Sequence, residues 1–114
     1  MKKGAQKISG FHAHVYYDPA TRGKAARLRT GLRRFSVQLG RWHDEPVGPH
    51  TKSMYQVAFS RSEFGKVVPW LMLHHGDLDI LIHPQTGDSV GDHLDRSLWL
   101  GEKLALNTRV LRRS

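Results

Sequence analysis

The stretch "FHAHVYYD", residues 11–18, alternates apolar and polar side chains, and two of its polar positions are histidine. Successive side chains of a β-strand point to opposite faces, so Ala13 and Val15 share one face while His12 and His14 share the other. Two imidazoles placed in this way can contact one ion without distorting the backbone. The stretch therefore predicts a strand with one apolar face and a pair of histidines on the other.

The same kind of pattern predicts the elements on either side of this strand. In chain order they are strand 10–17, helix 19–33, strand 35–39, strand 54–59, a helix after residue 63 and strand 78–83. This β-α-β-β-α-β order is typical of the ferredoxin-like split βαβ fold. The predicted fold class is thus α+β, a sandwich with an antiparallel sheet and two helices on one face.

Local signals define the ends of several elements. Asp18-Pro19 predicts the start of the first helix, and the sequence of residues 60–63 matches a capping box before the second. Pro69 is expected to kink or split that second helix. A short helix from about Asp92 and an extended piece over 104–111 complete the predicted chain.

Length and composition favour one domain without disulfides. The 114 residues are interpreted as a basic N-terminal tail, 1–9, and a single domain, 10–111. No apolar run of about 18 residues and no signal-peptide core are present, so we expect no membrane span and a cytoplasmic protein. Because the chain has no cysteine and eight histidines, a metal site would use His, Asp or Glu.

The formal net charge is +8, and a basic run extends from Arg22 to Arg34 with no acid between residues 19 and 43. A solvated helix face is the preferred interpretation of this run. A basic surface also attracts anionic small molecules. No nucleic-acid-binding motif accompanies the charge, so binding to DNA or RNA would depend on composition alone and is the least favoured function.

The sheet face opposite the helices is predicted to carry aromatic and apolar side chains beside histidines. Its members are His12, His14, Tyr16, Gln38, Trp42, Met54, Gln56, Leu81 and His83. Such a face is unfavourable in water, so we expect loops or a second copy of the chain to cover it. A homodimer is the expected assembly.

Further histidines could reach the face that holds His12 and His14. His83 ends the fourth predicted strand, and His50 and His93 lie in or after loops that could close over the sheet. The remaining three are interpreted as hydrogen-bonded surface residues, namely His43, His74 and His75. The combination of five histidines beside aromatic residues favours a metal site over a purely structural role.

Four blocks in order resemble the DOPA 4,5-dioxygenase family of aromatic ring-cleaving dioxygenases over about residues 10–111. The blocks are "HAHVYYD", "GRWHDEPVGPH" with "MYQVAF", "VVPWLML", and "LIHPQTGDSVGDH" with "LWLG". The resemblance implies a small, usually dimeric ferredoxin-like domain that uses non-haem iron(II) and dioxygen to open a catechol ring. The family's histidine positions fall on His12, His14, His50, His83 and His93. The segment Thr51-Lys52-Ser53 departs from the family pattern.

Iron(II) accepts neutral imidazole and carboxylate ligands, and an oxygenase must leave coordination positions open for its substrates. Three protein ligands satisfy this requirement, whereas five would not. The predicted ligands are His14, His50 and His83. His12 is assigned to the catalytic group as an alternative ligand or an orienting residue. Asp79, on the predicted strand of His83, is a carboxylate that could replace one histidine.

The remaining assignments concern the substrate. His93 is the candidate acid-base that takes a catechol proton and returns it during ring cleavage. The residues expected to line the pocket for the aromatic ring are Tyr16, Trp42 and Gln56. The cation expected to bind a substrate carboxylate is Arg41 or Lys52. A zinc or structural-metal module with a closed coordination shell is the alternative to an oxygenase.

Overall fold

A five-stranded antiparallel sheet with two long helices on one face forms the framework of the computed structural model, which describes residues 7–111. The elements are β1 Gly10–Tyr17, α1 Arg22–Leu32, β2 Val37–Leu39, β3 Ser53–Phe59, α2 Phe64–His74, β4 Asp79–Gln85, α3 Ser89–His93 and β5 Leu98–Leu100, with 3-10 turns at Arg61–Glu63 and Thr108–Val110. The strand order is β2-β3-β1-β4-β5. The predicted α+β ferredoxin-like fold is confirmed, and β5 extends its sheet by one strand.

The alternation of apolar residues in the strands forms the main core. The helix-facing strand residues are Ala13, Val15, Tyr17, Tyr55, Val57, Phe59, Ile80 and Ile82, and they pack against Ala25, Leu28, Leu32, Val67, Val68 and Leu71. Burying one large apolar side chain stabilises a fold by about 1.5–3 kcal/mol. The Tyr55 hydroxyl also donates a hydrogen bond of 2.8 Å to the Ala25 carbonyl, which joins β3 to α1. The predicted inward faces are confirmed.

Part of the opposite face of the sheet is covered by the chain itself. A second apolar cluster lies there, formed by Tyr16, Met54 and Leu81 with Trp99, Leu104 and Leu106 packed over them. A backbone bridge between His50 and Leu106 holds the covering segment in place. The expected cover is therefore supplied by residues of β5 and the chain that follows it, and the homodimer stays a prediction.

Helix α1 begins later than predicted, at Arg22. The Asp18 carboxylate accepts a hydrogen bond of 2.9 Å from the Thr21 backbone N–H, and the Asp18 carbonyl accepts from the same N–H. These bonds close a turn around Pro19 instead of capping a helix. Asp18 therefore stabilises the turn before the helix. Thr21, not Asp18, is the residue that directly precedes the first helical residue.

The capping box predicted over 60–63 is wrong. The hydroxyls of Ser60 and Ser62 form a hydrogen bond with each other. The Glu63 carboxylate accepts from the Ser36 backbone N–H at 3.2 Å. Residues Arg61–Glu63 form a 3-10 turn. Helix α2 then continues through Pro69 without a break, so the predicted split is also wrong. Pro69 and Gly65 are both exposed, which lets water satisfy the carbonyl that the proline leaves unpaired.

Other differences lie at the ends of elements. Helix α3 begins at Ser89 because Asp88 caps it and accepts from the Gly91 N–H at 3.3 Å. Residues 1–6 of the predicted tail lie outside the described residues, and Ser9 already donates to the Gln85 carbonyl at 2.9 Å. Within residues 7–111, no helix has the length and hydrophobicity needed to cross a bilayer.

We expect Gly101→Ala to destabilise the turn after β5 more than Gly76→Ala destabilises its own turn. Both glycines have positive φ, +80° and +58°, which costs an L-residue about 1–2 kcal/mol. A Cβ at Gly101 would also collide with the Asp79 carboxylate and lie 3.0 Å from the Leu78 carbonyl oxygen, whereas none of the described atoms lies within 4 Å at Gly76. Urea unfolding of both variants measures the difference, and equal losses would contradict the role of crowding.

Candidate metal centre

The register of the central strands brings three histidines to one face of the sheet. In the antiparallel pairing of β1 with β4, His12 lies opposite His83, and His14 lies opposite Leu81. Residues directly opposite each other in such a pair project to the same face. The Nε2 atoms of His14 and His83 are 3.1 Å apart, and both side chains are buried.

Two further histidines reach this face from outside the sheet. His50 follows the proline-rich loop before β3, and its ring centroid lies 4.1 Å from that of His14. His93 is the last residue of α3, and its ring centroid lies 4.0 Å from that of His83. The structure thus brings together all five of the predicted histidines, His12, His14, His50, His83 and His93.

The other three histidines make contacts elsewhere. The His43 backbone pairs with Met54, and the His74 and His75 rings hydrogen bond to the backbone carbonyls of Trp70 and Leu78. Among the described ring contacts, none joins these three to the five-histidine cluster. Their predicted exclusion from the site agrees with this arrangement.

Two sets of three histidines have the spacing of a metal site. In His12/His14/His83 and in His14/His50/His93, one nitrogen of each ring lies within 4.8 Å of the others. His14 belongs to both sets, and its buried Nδ1 has no hydrogen-bond partner in residues 7–111. Asp79 belongs to neither set, and its carboxylate accepts from the Glu102 backbone N–H at 2.7 Å.

The surroundings favour the neutral imidazole at three histidines of the cluster, His14, His50 and His83. Burial, followed by the neighbouring histidines, holds the pKa of His14 well below its ordinary value. Burial, with a smaller contribution from His93, also lowers the pKa of His50 and of His83 to about 4. Neutral imidazole is the form that binds a transition metal, and imidazole suits iron, zinc, copper and nickel. The donor set therefore fits a metal ion at neutral pH.

Each of three rings is fixed by a hydrogen bond at Nδ1. The His83 and His93 Nδ1–H groups donate to the carbonyls of Pro84 and Ser89, both at 2.8 Å. The Nδ1 of His50 lies 2.7 Å from the Tyr16 hydroxyl. Such partners orient metal-binding imidazoles and are a regular feature of metal sites.

A buried carboxylate fixes the helix that carries His93. Asp92 is 3% exposed and accepts from the Thr86 backbone N–H at 2.8 Å and from the Thr86 hydroxyl at 2.6 Å. The Arg96 guanidinium donates to the same carboxylate at 3.2 Å. The network was not predicted from the sequence. The i, i+4 spacing of Asp92, in α3, and Arg96, in the turn after it, was the available signal.

We expect Asp92→Ala to lower the free energy of unfolding by about 1–3 kcal/mol, because it removes the buried carboxylate that accepts from the half-buried Thr86 N–H and hydroxyl. It should also loosen His93. Denaturant unfolding measures the loss. The matched control is Asp95→Ala, which removes an exposed carboxylate from the same segment and should change stability little. An unchanged Asp92→Ala midpoint would contradict the anchoring role.

The structure gives the predicted substrate-binding residues different surroundings. Tyr16 is buried beside His50, and Gln56 pairs with His14 across β1 and β3 and is half-buried on the same face. Trp42 was placed on the wrong face, because its ring packs against Tyr17 and Tyr55 on the helix side.

The predicted cations lie in or beside the loop between β2 and β3. Arg41 is exposed, and none of the described contacts joins its side chain to the histidine cluster. Lys52 is half-buried and lies next to Thr51, whose hydroxyl donates to the Ala105 carbonyl at 2.7 Å. The roles of Arg41, Lys52 and Gln56 toward a substrate remain predictions.

We expect the metal-free protein to lose stability as the pH falls from about 6.5 to about 4. The pKa of His50 and of His83 is about 4 in the folded chain and 6.5 ordinarily. Between these values the unfolded chain binds more protons, so the free energy of unfolding decreases with decreasing pH. Urea midpoints across this range measure the slope. It should shrink in His83→Gln and stay unchanged in His74→Ala, and an unchanged slope in His83→Gln would contradict the assignment.

Comparison with known proteins connects this geometry to a family. The sequence model of the Dopa 4,5-dioxygenase family matches residues 11–110. An uncharacterised 21.2 kDa protein of Botryotinia fuckeliana is 32% identical over 90% of the chain and 63% of its own length. A DOPA 4,5-dioxygenase of Amanita muscaria is 31% identical over 89% of the chain and 49% of its own length. The chain thus spans about half to just under two thirds of these curated relatives.

A solved structure extends the comparison to the fold. The crystal structure of a protein from Nostoc punctiforme, described as a "putative dioxygenase", is 63% identical and superposes with a TM-score of 0.89. The match covers 90% of each chain. The arrangement of helices and strands described above is therefore shared with that protein.

Proposed function

The chain belongs to the Dopa 4,5-dioxygenase family, and from this we propose that it cleaves the ring of a catechol with dioxygen at a histidine-bound non-haem iron(II). The observation that supports the proposal best is the pair of histidine sets that meet at His14. Their imidazole nitrogens lie close together, and no carboxylate of the described residues completes either set. Imidazole nitrogen is a ligand that iron(II) accepts, as zinc, copper and nickel also do.

His14 and His83 are the proposed ligands, and the third is His12 or, as predicted from the sequence, His50. Of these two triplets, His12/His14/His83 is one of the sets with metal-site spacing. Bound iron(II) would supply coordination positions for the catechol oxygens and for dioxygen. His93 stands beside His83, half-buried, with its Nε2 lone pair available because Nδ1–H donates to Ser89. This nitrogen is placed to take a proton from a catechol hydroxyl.

The proposed substrate class is a catechol that carries a carboxylate, such as L-DOPA or caffeate. The net charge of +8 attracts an anion to the protein. The covering residues Trp99, Leu104 and Leu106 supply apolar surface near the histidines, as an aromatic ring requires. The substrate carboxylate would be held by Lys52 or Arg41 at the rim.

Oxygen uptake by anaerobically iron(II)-loaded protein tests this function. We expect L-DOPA or caffeate to cause consumption of one dioxygen per catechol together with a new visible absorbance from the opened ring. Tight metal binding without oxygen uptake across several catechols would favour a metal-binding module. Failure to bind any metal would overturn the metal centre itself.

We also propose a homodimer, as expected for a relative of this family. Trp99, Leu104 and Leu106 already cover Tyr16, Met54 and Leu81, so a second copy is not needed over that part of the sheet face. Light scattering with size-exclusion chromatography measures the mass in solution. A mass of 13.0 kDa, that of one chain, would overturn the dimer.

A further inference from the structure

A buried hydrogen bond joins His50 to Tyr16. The Tyr16 side chain is 1% exposed, and its hydroxyl lies 2.7 Å from the Nδ1 of His50. Within residues 7–111 this is the only hydrogen-bond partner of the hydroxyl. The surroundings are Met54, Leu81 and the Trp99 ring, which stacks on Tyr16 at 5.8 Å. The Trp99 indole nitrogen is a donor, so it does not offer an alternative acceptor.

This environment determines which group donates. A buried hydroxyl without an acceptor is destabilising, and Nδ1 of His50 is the acceptor within reach. If Nδ1–H donated to Tyr16 instead, the tyrosine proton would be buried without a partner. The hydroxyl therefore donates to Nδ1. A neutral imidazole carries one proton, so the proton of His50 is on Nε2.

His83 and His93 have the opposite tautomer. Their Nδ1 atoms face the carbonyl oxygens of Pro84 and Ser89, which can only accept, so both rings carry their proton on Nδ1. Their Nε2 atoms consequently keep a lone pair. A metal ligand needs that lone pair, whereas a protonated Nε2 provides an N–H donor instead.

His14 also faces a lone pair, since its Nε2 lies 3.1 Å from Nε2 of His83, but its Nδ1 has no partner within residues 7–111, so its proton can move to Nδ1 and leave Nε2 to a metal. The Nδ1 of His50 is already occupied by the Tyr16 hydroxyl, so its proton stays on Nε2. The hydrogen bonds thus divide the histidines into two kinds, those whose Nε2 can bind a metal and His50, whose Nε2 cannot.

We propose that His50 is not a metal ligand but a neutral hydrogen-bond donor to an oxygen atom of the bound catechol or dioxygen, and that Tyr16 is the positioning residue that keeps Nε2 of His50 protonated. The ligands are then His12, His14 and His83, whose nitrogens lie within 4.8 Å of one another. This inference rests on the proposed function and revises the sequence-based assignment of His50.

Such a donor contributes to ring cleavage without transferring its proton. A fixed N–H aimed at an oxygen that gains negative charge stabilises the transition state, and a buried, dry setting strengthens the effect. His50 is 6% exposed and lies under the segment that pairs through Leu106. His93 would then accept a proton from the substrate through its free lone pair, and His50 would donate a hydrogen bond through its fixed N–H.

Histidine tautomers can be measured directly on the metal-free wild-type protein. Long-range ¹H–¹⁵N correlation spectra at neutral pH distinguish an Nε2–H ring from an Nδ1–H ring. We expect Nε2–H for His50 and Nδ1–H for His83 and His93. In Tyr16→Phe the preference of His50 should be lost, while His83 and His93 keep theirs. An Nδ1–H signal for His50 in the wild type would overturn the proposal.

Metal affinity separates the two kinds of histidine. By anaerobic equilibrium dialysis with Fe(II), His83→Ala should weaken binding by more than about 100-fold, the upper range for loss of an orienting partner. His50→Ala should leave Fe(II) affinity within a few fold and lower kcat/KM about 10²–10³-fold, as removal of an oxyanion donor does. His50→Gln, which keeps an N–H donor, should recover part of that loss.

The two levels of the proposal fail in different ways. If His50→Ala loses Fe(II) as His83→Ala does, His50 is a ligand and this inference is wrong while the iron site stands. If the wild type binds Fe(II) but consumes no oxygen with any catechol, the proposed function is wrong. The tautomer spectra and the dialysis would still decide between ligand and donor in that case.

Discussion

We expect His14→Ala to abolish both Fe(II) binding and catechol-dependent oxygen uptake. His14 is the one histidine common to both sets of candidate ligands, and it is 3% exposed at the centre of the sheet. Its Nε2 lies 3.1 Å from that of His83, so the two nitrogens face one small volume. Without His14, neither set retains three donors. Because ligand number determines metal affinity, activity should fall to background.

His74→Ala is the matched control for this result. His74 is exposed on α2 and makes its hydrogen bond to Trp70 within the same helix. It should bind Fe(II) and consume oxygen as the wild type does. Circular dichroism and urea unfolding of the metal-free variants show whether His14→Ala still folds. A folded His14→Ala protein that retains wild-type Fe(II) affinity would contradict the central role of this residue.

The sequence was sufficient for the main fold because its strands are amphipathic. Period-two alternation places Ala13 and Val15 toward the helices and His12 and His14 toward the opposite face, and the structure confirms both faces. The element order then indicated a ferredoxin-like sheet. Strand β5 was missed because three residues, 98–100, are too short to show a period, and pairing with β4 alone makes them a strand.

Trp42 shows where the pattern stops being informative. Counting alternate positions onward from β2 places Trp42 on the histidine face, but β2 ends at Leu39. Pairing with β3 resumes at His43 opposite Met54, with one more residue on this side than on β3, so the alternation shifts by one and Trp42 turns to the helix side. There the Arg22 guanidinium lies 4.1 Å from its ring centroid, a cation–π contact. Periodicity predicts a face only for as long as the strand continues.

The basic run of α1 is partly explained by such contacts. Arg22 pairs with Asp44 at 2.9 Å, and Lys24 pairs with Asp77 at 2.8 Å. Arg29 packs over Trp42 and Tyr55. These partners are distant in sequence, so composition alone did not identify them. Several of the cations that suggested a nucleic-acid surface therefore have structural roles.

The positions of the five histidines required different kinds of information. The i, i+2 spacing of His12 and His14 determines their shared face from sequence alone. His83 depends on the register of β4 with β1, and His50 and His93 depend on loops whose paths follow from tertiary contacts. For these three, the residue pattern allowed a position near His12 and His14, and the family resemblance added that they match the family's histidine positions. The Tyr16–His50 hydrogen bond was not predicted, since it depends on the exact path of the loop.

We expect alanine substitutions at two adjacent residues of β4, Ile80 and Leu81, to have similar effects on stability but different effects on metal binding. Ile80 and Leu81 are both fully buried, Ile80 in the main core and Leu81 under Trp99, Leu104 and Leu106. Replacement of either by alanine removes similar volume from a packed site. We expect each variant to lose about 2–5 kcal/mol of unfolding free energy, measured by urea denaturation.

Fe(II) affinity should distinguish the two variants. Leu81 lies opposite His14 across β1 and β4, and the chain that covers Leu81 also bridges to His50. Leu81→Ala should therefore loosen the covering segment and weaken Fe(II) binding and oxygen uptake. Ile80→Ala leaves that face intact, so its Fe(II) affinity should match the wild type under conditions in which both variants are folded. Equal weakening in the two would show that the histidine site depends on global stability, not on the cover of its own face.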